Sequence, residues 1–322
     1  AEDAEVSCEI DPRFFNEAQM RVLQKHGFRR ISFGVQDFEP IVQQAVHRIQ
    51  PYDITKEAVE LARRYGVESI NIDLIYGLPY QTLESFKKTL ELAHSLDPDR
   101  LAVFNYAHVP WLKKTMRKLD ETTIPSPDVK LAILQHTIDY FTGNGYKMIG
   151  MDHFAKPGDE LFRAIEKGEL HRNFQGYTTR GGVDLIGIGV TSIGEGVDYY
   201  AQNHKELPAY EAAIDAGKLP FWRGVELNED DRIRKAVIMD LMSNFKLDIN
   251  KIEKAFGIDF KAYFADAIEA LQPMVDEGLV QISDKEITVS QTGTLVIRNI
   301  AMPFDAYMQK HAASKKTFSK TV

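Results

Sequence analysis

From residue 6 to about 109 the chain alternates short β-rich runs with amphipathic helical stretches. VSCEID (6–11) precedes a helical pattern near NEAQMRVLQKHG, and RISFGVQ (30–36) precedes ITKEAVELARRYG. SINIDLIYG (69–77) precedes TLESFKKTLELAHSL, and RLAVFNYAHV (100–109) follows. Strand-type runs separated by helical periodicity predict parallel strands in an α/β domain. HGF, YGV and LDPDR supply the expected helix stops.

The alternation within the strands says more. Side chains change face with period two. Val6, Cys8 and Ile10 therefore oppose Ser7, Glu9 and Asp11; Ile31, Phe33 and Val35 oppose Ser32, Gly34 and Gln36; Ile70, Ile72 and Leu74 oppose Asn71 and Asp73. Strands covered on both sides read as continuous apolar runs. These three instead have one apolar face and one lined with Glu, Gln and Asp, which predicts a curved or barrel-like sheet with a polar concave side. A water-filled lumen with self-satisfied hydrogen bonds gives the same pattern.

Past Pro110, VKLAILQHTIDYFTGNGY (129–146) predicts a helix with a Gly stop, and KMIGMDHFA (147–155) a further strand running into a loop. The segment 171–200 is rich in Gly and aromatic residues, which suits backbone brought close to a ligand or a system of Gly turns. The character changes at FWRGVELNEDD. Asn228 should cap a helix with Glu229, Asp230 and Asp231 in its first turn. Two more helices near 249–256 and 259–277, a hairpin LVQIS-DKE-ITVS and a last helix from about 291 make a winged-helix-like pattern. The domains expected are thus 1–222, a partial barrel with substrate-site segments, and 223–322, a mainly helical C-terminal domain with a β-hairpin.

Charge narrows the function. The 322 residues carry a formal net charge of −8, and between 226 and 298 there are 14 acidic residues against 9 basic, a net of −5. Phosphate neutralisation needs the opposite balance, so nucleic acid is not expected as a partner. The basic end KHAASKKTFSK reads as a solvated tail. No apolar run approaches the roughly 18–20 residues of a membrane span, which points to the cytoplasm. A single cysteine, Cys8, excludes an intramolecular disulfide and any cluster held by several thiolates of this chain.

Three groups of residues suggest chemistry. IGIGVTSIG (186–194) departs from a dinucleotide fingerprint, because Ser192 stands at the third glycine position. Asp152 and His153 could form an acid–base or metal pair at a substrate mouth, although no second ligand pair has zinc spacing. Glu9, Gln36 and Asp73 lie on the inferred concave faces of adjacent units and suit a ligand offering hydroxyls and an ammonium group, such as a ribose and an amino acid. Arg48 could hold the amino acid carboxylate, or be an exposed helix charge.

The segments CEIDP, RISFGVQDF, NIDLIYGLP, DRLAVFNYAHVP, GMDHFA and LHRNFQGYTT resemble the oxygen-independent coproporphyrinogen III oxidase (dehydrogenase) family, radical S-adenosylmethionine (SAM) enzymes of haem biosynthesis. The resemblance runs from about residue 5 to the C-terminus. It implies a partial (β/α)6 radical-SAM-type barrel followed by a mainly helical C-terminal domain. It also implies oxidative decarboxylation of two propionates of coproporphyrinogen III, giving the vinyl groups of protoporphyrinogen IX. On the matching motifs, Glu9 and Arg48 would hold the amino acid part of one SAM, Gln36 and Asp73 its ribose, and the Ala107 backbone its adenine. Ile193 resembles a SAM-contacting position, and Phe174 and Gln175 lie near a second SAM or the substrate. His171 and Arg172 are expected to contact propionates, since a tetracarboxylate needs cations.

The family's CxxxCxxC motif for a 4Fe–4S cluster and its GGTP-like glycine motif do not occur here. The chain opens with AEDAEV and enters a strand almost at once, which reads as a fragment whose preceding segment holds both. On that reading the cluster belongs to the full-length protein, and this chain alone has neither cluster nor activity. The expected partners are coproporphyrinogen III and an electron donor and acceptor, with the protein a monomer. The alternatives are a radical-SAM-like haem chaperone, against which NFQGY and the long C-terminal domain argue, and a noncatalytic ligand-binding protein.

Overall fold

The computed structural model describes residues 4–311, with side chains to Met308. They form two compact units, 4–162 and 163–311. The change of composition at FWRGVELNEDD lies inside the second, and the basic tail lies almost wholly outside the described residues.

The first unit is built on β1 (Ser7–Ile10), β2 (Arg30–Gln36), β3 (Ser69–Tyr76) and β4 (Arg100–Asn105), parallel and in that order. They are joined by α1 (Glu17–Lys25), α2 (Pro40–Ala45) and α3 (Tyr52–Arg64) in one long crossover, and α4 (Leu83–Ser95). Asn16 and Thr82 close capping boxes at the starts of α1 and α4, satisfying backbone donors that a helix leaves open. Gly27 and Gly66 follow α1 and α3 at positive φ, the stops anticipated from HGF and YGV. Ile31, Phe33, Val35, Ile70, Ile72 and Leu74 are at most 1 % exposed, while Ser32, Gly34, Asn71 and Asp73 between them are only half-buried. The two-faced strands of the sequence are therefore real. Each fully buried Ile, Leu or Phe on the helix side contributes roughly 1.5–3 kcal/mol.

One expectation fails locally. KMIGMDHFA is two strands, β5 (Lys147–Ile149) and β6 (His153–Ala155), which follow α5 (Pro127–Gly143). Gly150 turns the chain at φ +58°, so Ile149 pairs with His153 and β6 runs antiparallel to β4. The parallel order ends there.

In the second unit α6 (Glu160–Lys167), at whose third residue the first unit ends, leads to a small hairpin, β7 (His171–Asn173) and β8 (Gly176–Thr178). An antiparallel sheet follows, of β9 (Ile193–Glu195), β10 (Tyr199–Asn203) and, after α7 (Leu207–Asp215), β11 (Phe221–Glu226). Helix α8 (Glu229–Asn244) starts at Asn228 with a capping box and three acids in its first turn, as its sequence requires. Beyond it come β12 (Lys246–Asp248), α9 (Ile249–Phe256), α10 (Phe260–Tyr263), α11 (Ala265–Asp276), the hairpin β13 (Val280–Ile282) and β14 (Glu286–Val289), then α12 (Ile297–Ala301) and α13 (Ala306–His311). The helix expected over 259–277 breaks at Phe264, and the last one at Pro303. Strand β12 joins β14 to make a three-stranded wing. Ile233, Val237 and Leu241 of α8 pack in a core with Phe260, Phe264, Leu271, Ile287 and Phe304.

Candidate active site

Strand register sets the polar face of the first unit. One row across the sheet reads Glu9, Ser32, Asn71, Arg100; the next reads Gly34, Asp73, Ala102, His153. Asp73 is held in a closed triangle. Ser32 Oγ donates to its Oδ2 at 2.8 Å, Asn71 Nδ2 donates to its Oδ1 at 2.7 Å, and the same amide donates to Ser32 Oγ at 2.8 Å. Burial raises the Asp73 pKa; the two hydrogen bonds and the nearby His153 pull it back, and the charge of Glu9 adds to the rise.

Arg48 lies in the loop after α2 and reaches back over the end of β2. Its Nη2 donates to the Gly34 carbonyl at 2.6 Å and its Nη1 to Asp11 at 2.9 Å. It is thus no free helix charge. Arg13 also binds Asp11, and the Arg13 hydrogen bond is the main reason the Asp11 pKa is lowered, with Arg48 adding to it. Gln36 adopts φ +71° where the β2–β3 register slips. Its amide nitrogen stands only 3.0 Å from where a Gly34 Cβ would be, and Arg48 Nη2 3.4 Å away. Gly34, adjacent to Asp73 in register, therefore lets Gln36 and Arg48 close over the strand. Ala107 is exposed in the loop past β4, beyond the bond from Tyr106 N to the Tyr76 carbonyl. Asp152 and His153 do form a pair, at 2.7 Å, and the imidazole lies edge-on to Phe104.

Behind Gln36, Asp37 is 2 % exposed and ties three segments together. It accepts from Glu39 N, Thr89 Oγ1 and Gln81 Nε2, and Gln81 also bonds Leu78 N and the Ile75 carbonyl, fixing the YGLPYQT turn. Burial pushes the Asp37 pKa up to about 6 against these bonds.

In the second unit Phe174 and Gln175 form the tip of the β7–β8 hairpin, where Gln175 N bonds the Asn173 side chain and Asn173 pairs with Gly176. Phe174 is 56 % exposed and packs edge-on against Tyr200. His171 and Arg172 lie on β7, with the Arg172 guanidinium over the Tyr177 ring. Ile193 opens β9. Two glycines of 181–196 serve close packing within the chain: a Cβ on Gly181 would stand 2.3 Å from His171 Nε2, and one on Gly187 2.9 Å from the Ile193 carbonyl carbon.

Sequence reasoning passed over Ser32, Asn71, Gly34 and Asp11. Ser32 and Asn71 were visible as polar neighbours on the concave face; only the register reveals that they grip Asp73.

Two buried polar atoms of this face, Arg48 Nε and Asn71 Oδ1, have no hydrogen-bond partner among the described residues. A carboxylate held in a fixed orientation can accept from hydroxyl groups, which suits a ligand with a ribose diol, as SAM has. The donors do not fit a 4Fe–4S cluster. Among the described residues no three His, Cys, Asp or Glu side chains gather as metal ligands. Cys8 is half-buried, on the helix side of β1, its thiol pKa raised by burial.

Comparison with known proteins agrees with this architecture. Residues 1–93 match the radical SAM superfamily and residues 227–296 the HemN C-terminal domain. The chain is 57 % identical to an oxygen-independent coproporphyrinogen III oxidase of Helicobacter pylori and 48 % identical to that of Escherichia coli. It is covered over 100 % and 99 % of its length, and spans 70 % of each relative. A solved structure of coproporphyrinogen III oxidase from Escherichia coli, described as a radical SAM enzyme, superposes with a TM-score of 0.92 over 95 % of this chain and 71 % of that one, at 48 % identity. The class is therefore that of the radical SAM enzymes, with an α/β barrel-type sheet followed by a mainly helical domain. Within it, the chain belongs to the oxygen-independent coproporphyrinogen III oxidase family.

Proposed function

We propose that this protein carries out the oxygen-independent oxidative decarboxylation of coproporphyrinogen III to protoporphyrinogen IX in the cytoplasm. The cluster thiolates come from sequence outside these 322 residues. The observation that carries the reading is the Ser32–Asn71–Asp73 triangle on the polar face of β2 and β3. SAM, when bound, would supply the radical that takes a hydrogen atom from a propionate, so that loss of CO2, with one electron passed to an external acceptor, would leave a vinyl group.

The residues of this chain bind and orient. Asp73 and Gln36 accept and donate to the ribose hydroxyls, Arg48 and Glu9 hold the amino acid carboxylate and ammonium, and the Ala107 backbone meets the adenine. Asp11 and the Gly34 carbonyl fix the plane of the Arg48 guanidinium. In the second unit Ile193, Phe174 and Gln175 contact a second SAM or the substrate, and His171 and Arg172 neutralise propionates. Placement and exclusion of water are the protein's contribution to a radical step.

The test is an anaerobic assay of the cluster-loaded, full-length enzyme with SAM, a reductant and coproporphyrinogen III. The expected result is loss of two CO2 per macrocycle. SAM consumption with unchanged coproporphyrinogen contradicts the assignment.

A further inference from the structure

The hairpin tip at Phe174 is exposed, yet it stands on a partly buried ionic support. Glu195 lies opposite Tyr200 in the β9–β10 register. Lys235 of α8 places its ammonium 2.7 Å from Glu195 Oε1 and 4.6 Å from the centroid of the Tyr200 ring, whose hydroxyl is 3.4 Å from the same oxygen. The Tyr200 ring meets Phe174 edge-on at 5.4 Å and 82°. The Glu195 backbone is locked at both N–H and C=O to Leu185. At the other end of the hairpin, Asn244, the last residue of α8, exchanges two hydrogen bonds with the Leu170 backbone, at 3.1 and 3.0 Å. One helix thus holds the hairpin at its root and at its tip.

Glu195 is 9 % exposed and its Oε2 has no partner among the described residues. A half-satisfied buried carboxylate is a poor device for stability alone, since an apolar residue of similar volume does as well or better. A lysine fixed by that carboxylate does something an apolar residue cannot: it pins an aromatic ring through a cation–π contact. An exposed phenylalanine left without a fixed neighbour samples several rotamers, and a flat ligand then meets the cost of ordering it.

We propose that Glu195, Lys235 and Tyr200 are positioning residues that fix Phe174 and the 171–178 hairpin for the face of the tetrapyrrole substrate. This makes helix α8, at the start of the matched C-terminal domain, a support of the substrate site. The inference rests on the substrate reading above.

The test compares wild type, Lys235→Met, Lys235→Arg and Tyr200→Leu in the cluster-loaded, full-length enzyme. Coproporphyrin III, the stable oxidised macrocycle, serves as a fluorescent binding probe, and amide hydrogen exchange is followed over 171–178. Lys235→Met and Tyr200→Leu are expected to weaken probe binding about tenfold, the scale of one lost charge-assisted contact. They should speed exchange in 171–178 while leaving β1–β4 protected, and raise KM more than they lower kcat. Lys235→Arg, which keeps the cation, should restore most of the binding. Wild-type binding by Lys235→Met, unchanged exchange in the hairpin, or a uniform rise in exchange through the second unit would overturn the proposal. If wild type itself fails to bind the probe, the substrate reading fails, while the hairpin exchange still decides the support role.

Discussion

Ser32 of β2 donates to Asp73 of β3 across 2.8 Å, and Asn71 donates to both of them. Asp73 is therefore a carboxylate whose orientation is set by neighbours on two strands. Ser32→Ala removes one of its two hydrogen bonds while changing little volume. It should weaken SAM binding about three- to tenfold by calorimetry, and move the pH below which binding is lost upward, since a bond favouring the charged form is gone. SAM affinity and its pH dependence identical to wild type would contradict the triangle's role.

Arg48 bridges Asp11 and the Gly34 carbonyl with two different nitrogens. A lysine has one nitrogen and cannot span both. Arg48→Lys should weaken SAM binding by at least about tenfold, with a stability loss of about 1–2 kcal/mol from the lost bridge. Titration calorimetry and urea unfolding separate the two effects.

Asp37 carries a pH dependence whose sign is opposite to that of most carboxylates. Its pKa in the fold is raised to about 6, so between about pH 4 and pH 6 the native state holds a proton that the unfolded chain has released. Stability from this group falls as pH rises through that window. About two pKa units correspond to at most roughly 3 kcal/mol. Asp37→Asn cannot ionise, so its stability relative to wild type should improve by up to that amount between pH 4 and pH 7, whatever the offset caused by its altered bonds. A constant difference across the range would contradict the account.

Two glycines should respond differently to the same added methyl. At Gly187 a Cβ meets the backbone of Ile193 and Gly194, which cannot yield cheaply. Gly187→Ala should cost about 1–3 kcal/mol in chemical denaturation. At Gly181 the obstacle is the His171 ring, a side chain that can rotate away. Gly181→Ala should cost less than about 1 kcal/mol, yet weaken coproporphyrin III binding by displacing His171. Equal destabilisation at both sites would contradict this.

The alternation in SINIDLIY made the polar face and Asp73's place on it legible, because the side-chain period of a strand is fixed whatever it packs against. The triangle was not legible, because it depends on the β2–β3 register, and register emerges only from the packed sheet. Arg48 was open between ligand contact and solvent because its partner Asp11 lies 37 residues earlier. KMIGMDHFA looked like one strand since both halves are β-prone, and only the conformation of Gly150 divides it. In the second unit the caps and first-turn acids of α8 were readable from local chemistry. The support of Phe174 by Lys235 was not, as 61 residues separate them.

The proposed SAM site turns on Asp73. Titration calorimetry of SAM into the cluster-loaded enzyme and its Asp73→Ala variant tests it most directly, with thermal unfolding of both as a control for the fold. The prediction is a loss of affinity of more than about tenfold, from removing a half-buried charged acceptor, with the variant still folded. Unchanged SAM affinity in a folded Asp73→Ala protein would contradict it.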